Sequence, residues 1–179
     1  MKKKVKLFTT IASLCLAVAL MAFGVYAATN ATYKVSGSIS FTSTNVDGTW
    51  ALKSVSVTGG KFAAGEGVAD DGLSLTTLAN VHELPAVTVD SQDDATGSYT
   101  CVITIVATYT ASDNSDEATI KAVKDATGTE NGVIVDYGSS INVAQGATGD
   151  VTVKVTLTGK NSTSANGAYA IEFQAAKKA

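Results

Sequence analysis

Few residues of this sequence have side chains suited to catalysis. His82 is the only histidine, and the two cysteines are Cys15 and Cys101. A serine or cysteine nucleophile needs a base such as imidazole beside it, and no G-x-S-x-G motif presents a serine. Cys101 alternates with Ile103 and Ile105, which predicts a small buried apolar residue rather than a nucleophile. The sequence therefore predicts a protein that is not an enzyme.

Metal binding would depend on carboxylates, because one histidine and one apolar-face cysteine cannot complete a tetrahedral zinc site. Asp90, Asp93 and Asp94 lie within five residues, and a second acidic run lies at 113–117. Calcium prefers such oxygen ligands on loops, but Ala95 stands where an EF-hand loop has glycine. The sequence predicts no cofactor and no metal site, and it leaves Asp90, Asp93 and Asp94 as the candidate ligands if calcium binds.

Composition excludes a nucleic-acid partner. All 13 basic residues are lysine, and arginine, which binds phosphate and guanine through two parallel hydrogen bonds, is absent. Four of these lysines precede Leu7, so the rest of the chain carries 9 lysines against 16 acidic residues, a formal charge of −7.

Trp50, the only tryptophan, alternates with Leu52 and is predicted to lie in the core rather than on a sugar-stacking surface.

The amino terminus has the three parts of a secretory signal. A basic segment, 1–6, is followed by an apolar stretch, 7–23, and then by Val25, Tyr26 and Ala27, with small residues at the positions that a signal peptidase recognises. We expect cleavage after Ala27 and a single mature domain at 28–179, located outside the cell or on its surface. The alternative is an uncleaved anchor, because the apolar stretch approaches the length that spans a bilayer.

Period-two alternation of apolar and polar residues runs through the rest of the chain and predicts β-strands. The alternation changes phase between Leu52 and Val55, which predicts a β-bulge at Lys53–Ser54. We predict an all-β protein, an antiparallel β-sandwich of the jelly-roll or immunoglobulin-like type with about 8–9 strands, and at most one short helix near 75–82. Further expectations are a central strand at 98–110, a polar hairpin loop at 111–116 and amphipathic strands at 151–157 and 169–173.

The amino terminus also resembles a known class of signals. This segment resembles the SipW-type signals of Gram-positive bacteria. The features that carry the resemblance are the lysine-rich start, the run Thr10–Leu14, the ending Phe23–Ala27 and the strand that follows. Exported proteins with such signals include the TasA and camelysin family of biofilm-matrix fibre proteins. The resemblance implies a jelly-roll sandwich and a structural role in a matrix, and the carboxyl-terminal strands 151–157 and 169–173 are similar in style.

These observations lead to a secreted, non-catalytic structural protein of the cell surface or extracellular matrix. Cleavage would leave an alternating strand at the new terminus, and such a strand can pair with a neighbouring subunit and build fibres by strand exchange. Its apolar residues, the candidate donor set, are Tyr33, Val35, Ile39 and Phe41. Docking of this strand in its own sheet is the alternative. Other functions left open are a monomeric module that binds a glycan or cell-wall polymer, and a secreted hydrolase. Expected partners are copies of the chain or components of the wall and matrix, with membrane contact only through the signal before cleavage.

Overall fold

The computed structural model describes residues 32–63, 68–69, 72–73, 83–90, 98–160 and 166–179. No residue in these ranges is helical, and none of them belongs to a helix that could cross a bilayer. They form twelve β-strands: β1 (Thr32–Thr44), β2 (Gly48–Thr58), β3 (Lys61–Phe62), β4 (Val68–Ala69), β5 (Gly72–Leu73), β6 (Glu83–Asp90), β7 (Ser98–Ala111), β8 (Ala118–Lys124), β9 (Ile134–Asp136), β10 (Ile141–Val143), β11 (Thr148–Lys160) and β12 (Asn166–Lys177).

The strands form two six-stranded sheets that share one hydrophobic core, which confirms the predicted all-β sandwich. Sheet A has the order β10-β8-β12-β1-β6-β3, and sheet B has the order β4-β5-β2-β7-β11-β9. Neighbouring strands are antiparallel except for β1 and β12, which are parallel. The strand count exceeds the predicted 8–9 because five of the described strands have only two or three residues, too few to show alternation in a sequence.

Among the described strands, β7 is the longest, and it lies in the middle of sheet B, as its two apolar faces predicted. Its neighbour β11 alternates as expected, because Val151, Val153, Val155 and Leu157 are at most 3% exposed. Full burial of side chains of this size contributes about 1.5 to 3 kcal/mol each. The core between the sheets therefore follows from the period-two pattern of its strands.

Two local predictions had opposite outcomes. The bulge is confirmed, because the register of β2 against β7 shifts between Leu52 and Ser54, and Val55 and Val57 then take the buried positions. The hairpin at 111–116 is wrong, because β7 belongs to sheet B and β8 to sheet A, so this loop crosses from one sheet to the other. A polar loop between two alternating segments has the same composition in both cases. The predicted helix near 75–82 lies outside the described residues.

Candidate functional site: the first described strand and its position in sheet A

Strand β1 occupies an interior position of sheet A. On one side it pairs in parallel with β12, from Lys34 opposite Asn166 to Thr44 opposite Ala176. On the other side it pairs antiparallel with β6, from Thr32 opposite Asp90 onward. An interior strand uses its backbone donors and acceptors on both sides. Without β1, sheet A would consist of two separate parts, β10-β8-β12 and β6-β3, each with a newly exposed edge.

The inner face of β1 carries three of the predicted donor residues, Val35, Ile39 and Phe41. Val35 and Ile39 are 1% and 2% exposed. Phe41 is partly buried, and its ring lies 5.7 Å from that of Trp50 and 5.6 Å from that of Phe173. The backbone of Tyr33 pairs with Val89. The described donor side chains are therefore part of the core of their own chain, in the position that the home-docking alternative predicts.

Two glycines allow β1 and β12 to pack closely, and they lie on opposite strands. A Cβ atom built on Gly37 would lie 1.9 Å from Cζ of Tyr169, so the buried tyrosine ring covers the glycine. Two residues earlier on both strands, Gly167 pairs with Val35. A Cβ atom built on Gly167 would lie 3.4 Å from Cγ2 of Val35 and 2.9 Å from Cγ1 of Val133. Each glycine thus accommodates a larger residue of the opposite strand.

The same point of β1 faces an irregularity in β6. The pairing shifts between Val35, which faces Val87, and Gly37, which faces Leu84, so β6 has one extra residue there. Pro85 lies within this irregular stretch, which is where a strand tolerates a residue without an N–H group. A shallow depression of about 380 Å³ opens beside Gly37 and Tyr169.

Hydroxyl groups on the outer face of β1 contact two carboxylates. Ser40 Oγ donates a hydrogen bond to Asp125 Oδ2 at 2.9 Å, and Thr42 Oγ1 donates to Glu172 Oε1 at 2.7 Å. The pKa of Asp125 lies below its ordinary value, because the backbone N–H and the hydroxyl of Thr127 and then the hydroxyl of Ser40 favour the charged carboxylate. Asp125 is therefore an ionised acceptor that connects β1 to the segment after β8.

A short turn connects β1 to β2 in the other sheet. Within it, Asn45 has a φ of 56°, a left-handed conformation that asparagine tolerates better than most residues. The backbone N–H of Asp47 donates to Oγ of the buried Ser115 at 3.2 Å, and the N–H of Ser112 donates to the carbonyl oxygen of Asp47 at 2.9 Å. The loop after β7 therefore holds the turn at which β1 would have to pivot.

The residues that could do chemistry do not converge. Cys101 is fully buried, and burial raises the pKa of its thiol to about 11, so the thiolate that a nucleophile requires is disfavoured. Asp90 is the last residue of β6, whereas Asp93, Asp94, His82 and Ala27 lie outside the described residues.

Carboxylates of the second acidic run form ion pairs with the carboxyl-terminal lysines. Asp116 pairs with Lys177 at 2.6 Å, and Glu117 pairs with Lys178 at 2.8 Å. In the part of the chain that the structure describes, no group of three or more His, Cys, Asp or Glu side chains is arranged to hold a metal ion.

Sequence reasoning missed the features that define the position of β1. Nothing in the sequence indicates a parallel pairing of the first and last described strands, because partner choice is a tertiary property. The glycine at position 37 is a signal, since a glycine inside a strand often marks a close approach. The residue that approaches it, Tyr169, has no such signal.

Comparisons with known proteins identify no family. No protein-family model matches the chain, and no curated protein matches it. A solved structure that is similar to part of it, the crystal structure of RahU protein in complex with a TRIS molecule, has 10% sequence identity and a TM-score of 0.22. That match covers 83% of this chain and 96% of the RahU chain. A TM-score this low carries no argument about fold or function.

Proposed function

We propose that this chain is an exported, non-catalytic structural protein of the cell surface or extracellular matrix, which assembles by exchange of β1 between copies. The observation that carries the proposal is the position of β1. It is the first described strand of the chain, it lies inside sheet A, and only one short turn, 45–47, connects it to the strand that follows. Such a strand can leave its own sheet and enter that of a second copy while the rest of the chain keeps its connectivity.

Exchange conserves the contacts of β1 almost completely. The buried side chains Val35 and Ile39 and the backbone pairs to β6 and β12 form equally well with β1 from another copy. The closed and exchanged states then differ mainly in the conformation of the turn and in the entropy lost on association. Repetition of this contact from head to tail gives an open filament rather than a closed dimer. Assembly should therefore increase steeply with protein concentration.

Support for a structural rather than a catalytic or sugar-binding role comes from the placement of the few suitable side chains. Cys101 is buried in the core between the two sheets. Trp50 packs against Phe41 and Tyr109, with ring centroids 5.7 and 5.1 Å apart, so it does not offer a flat stacking surface to a glycan. The monomeric glycan-binding alternative therefore lacks a favouring observation among the described residues.

Electron microscopy and gel filtration of residues 28–179 over a range of concentrations test the proposal. We expect monomers at low concentration and filaments at high concentration. A synthetic peptide of residues 28–44 should shorten the filaments of the intact chain, and a peptide with the same composition in scrambled order should not. A protein that stays monomeric at every concentration would contradict the proposal. Intact-mass measurement of the exported protein separately tests cleavage after Ala27.

A further inference from the structure

We infer that the two glycines of the β1–β12 pair select both the register and the identity of the strand that enters the groove between β6 and β12. In this inference, which rests on the proposed strand exchange, the groove accepts β1 of a second copy because that strand has glycine two residues after valine, at Val35 and Gly37. A strand with any larger residue in place of the glycine is rejected by Tyr169.

Register is a specific problem for an exchanged strand. In the closed monomer the turn at 45–47 connects β1 to β2 and fixes how far β1 extends along β12. In an exchanged assembly the same turn connects β1 to the β2 of its own copy, so it does not align the strand in the foreign groove. Alignment must then come from contacts between the strand and the groove.

The alternating pattern alone does not provide this alignment. A slip by one residue is excluded, because it moves every apolar side chain of β1 to the outer face. A slip by two residues keeps the faces correct. The outer face does not resist it either, because Ser38, Ser40 and Thr42 are all hydroxyl residues, so a hydroxyl would still face Asp125 and Glu172 after the slip.

Residue size does exclude the two-residue slips. In the observed register Gly37 faces Tyr169 and Val35 faces Gly167. A slip in one direction would place Ile39 opposite Tyr169, and a slip in the other direction would place Val35 there. Even a single Cβ at this position would lie 1.9 Å from the tyrosine ring, which is itself only 3% exposed, so the ring could yield only by leaving its buried position. Of the residues on this face of β1, only Gly37 therefore fits opposite Tyr169.

The presence of glycine in the middle of a long strand agrees with this role. Glycine in a strand interior lowers stability because it loses more backbone entropy on folding and brings no side chain to pack. Here the ring of Tyr169 covers Gly37 and occupies the space that a side chain at position 37 would fill. The pair therefore combines a stabilising contact with a size restriction on the incoming strand.

Peptide uptake by the intact mature chain tests the selection. Peptides of residues 28–44 would be mixed with residues 28–179 during refolding, and peptide that stays with the protein would be measured by mass spectrometry after gel filtration. We expect the wild-type peptide and a Ser36→Val control, altered at an exposed neighbouring position, to be retained equally. The Gly37→Val peptide should be retained at least about tenfold less, because extra carbon atoms in a filled, buried site are destabilising. A chain with Tyr169→Ala should retain the Gly37→Val peptide and the wild-type peptide to the same extent.

Unfolding of the monomer provides an arm that does not depend on exchange. Gly37→Val, Tyr169→Ala and the double variant are compared by urea denaturation, with Gly37→Ala as a milder form if Gly37→Val does not fold. We expect the double variant to be more stable than the sum of the single effects predicts. Additive effects, or equal retention of the Gly37→Val and wild-type peptides, would overturn the inference. Non-additivity together with no uptake of any peptide would refute exchange, and with it selection of a second copy, while the size match within one chain would stand.

Discussion

Replacement of Ile39 by alanine should remove a large part of the free energy that holds β1 in the groove. The side chain is 2% exposed and lies on the inner face of the strand. The change deletes three carbon atoms, worth roughly 2.4 kcal/mol at about 0.8 kcal/mol per buried methylene. The cavity that remains raises the expected loss to about 3 to 4 kcal/mol. Ile39→Val, which deletes one carbon atom, should cost only about 1 kcal/mol.

Urea unfolding of residues 28–179 under dilute, monomeric conditions measures these losses from the shift in midpoint at constant slope. Ser36→Ala, on the exposed outer face of the same strand, is the control and should change the free energy of unfolding by less than about 0.5 kcal/mol. If Ile39→Ala cost no more than Ser36→Ala, β1 would not belong to the core in solution. The argument that it completes sheet A would then be refuted.

Single side chains give three further tests. Hydrogen bonds from Thr127 and Ser40 hold the pKa of Asp125 below its ordinary 3.8, so the contribution of Asp125 to stability is present above that pH and lost on further acidification. When the urea midpoint is measured at decreasing pH, D125N should lose less stability than the wild type, and equal losses would contradict the assignment. Tyr109→Phe should keep the free energy of unfolding or raise it by up to about 1 kcal/mol, because the buried hydroxyl has no hydrogen-bond partner among the described residues; a clear loss in urea would reveal one. Native Cys101 should not react with Ellman's reagent until the chain unfolds, because it is buried with a pKa of about 11, and rapid native labelling would show that it is accessible.

Local pattern predicted the parts of the fold that depend on neighbours in sequence. Alternation placed Val151, Val153 and Val155 in the core, and the phase change at Lys53–Ser54 located the bulge. Both follow from the backbone geometry of a strand, which sends successive side chains to opposite faces. This information is present in a window of a few residues.

Partner choice could not be predicted in this way. The loop at 111–116 was expected to close a hairpin but joins two sheets, and β1 pairs in parallel with β12, the last described strand. The size match between Gly37 and Tyr169 depends on that pairing, so the sequence shows the glycine without showing what it accommodates. The candidate site was therefore visible as a terminal strand, but not as a groove.

Cross-linking of a mixture of isotope-labelled and unlabelled chains tests strand exchange most directly. Lys34 of β1 and Lys61 of β3 both pair with Thr88 of the intervening β6, so their Cα atoms lie about 10 Å apart by strand spacing, and both residues are exposed. An amine cross-linker joins them within one chain if β1 is at home, and between chains if β1 is exchanged. Lys53 and Lys154, on either side of β7 in sheet B, are the matched pair that no exchange of β1 separates.

Labelled and unlabelled chains would be mixed as monomers in equal amounts, assembled at high concentration, cross-linked and digested. Strand exchange predicts that Lys34–Lys61 products joining a labelled to an unlabelled peptide are as frequent as products with matching labels, while Lys53–Lys154 products carry matching labels. If both lysine pairs give only matching labels in assembled material, β1 remains in its own sheet, and the proposed exchange is contradicted.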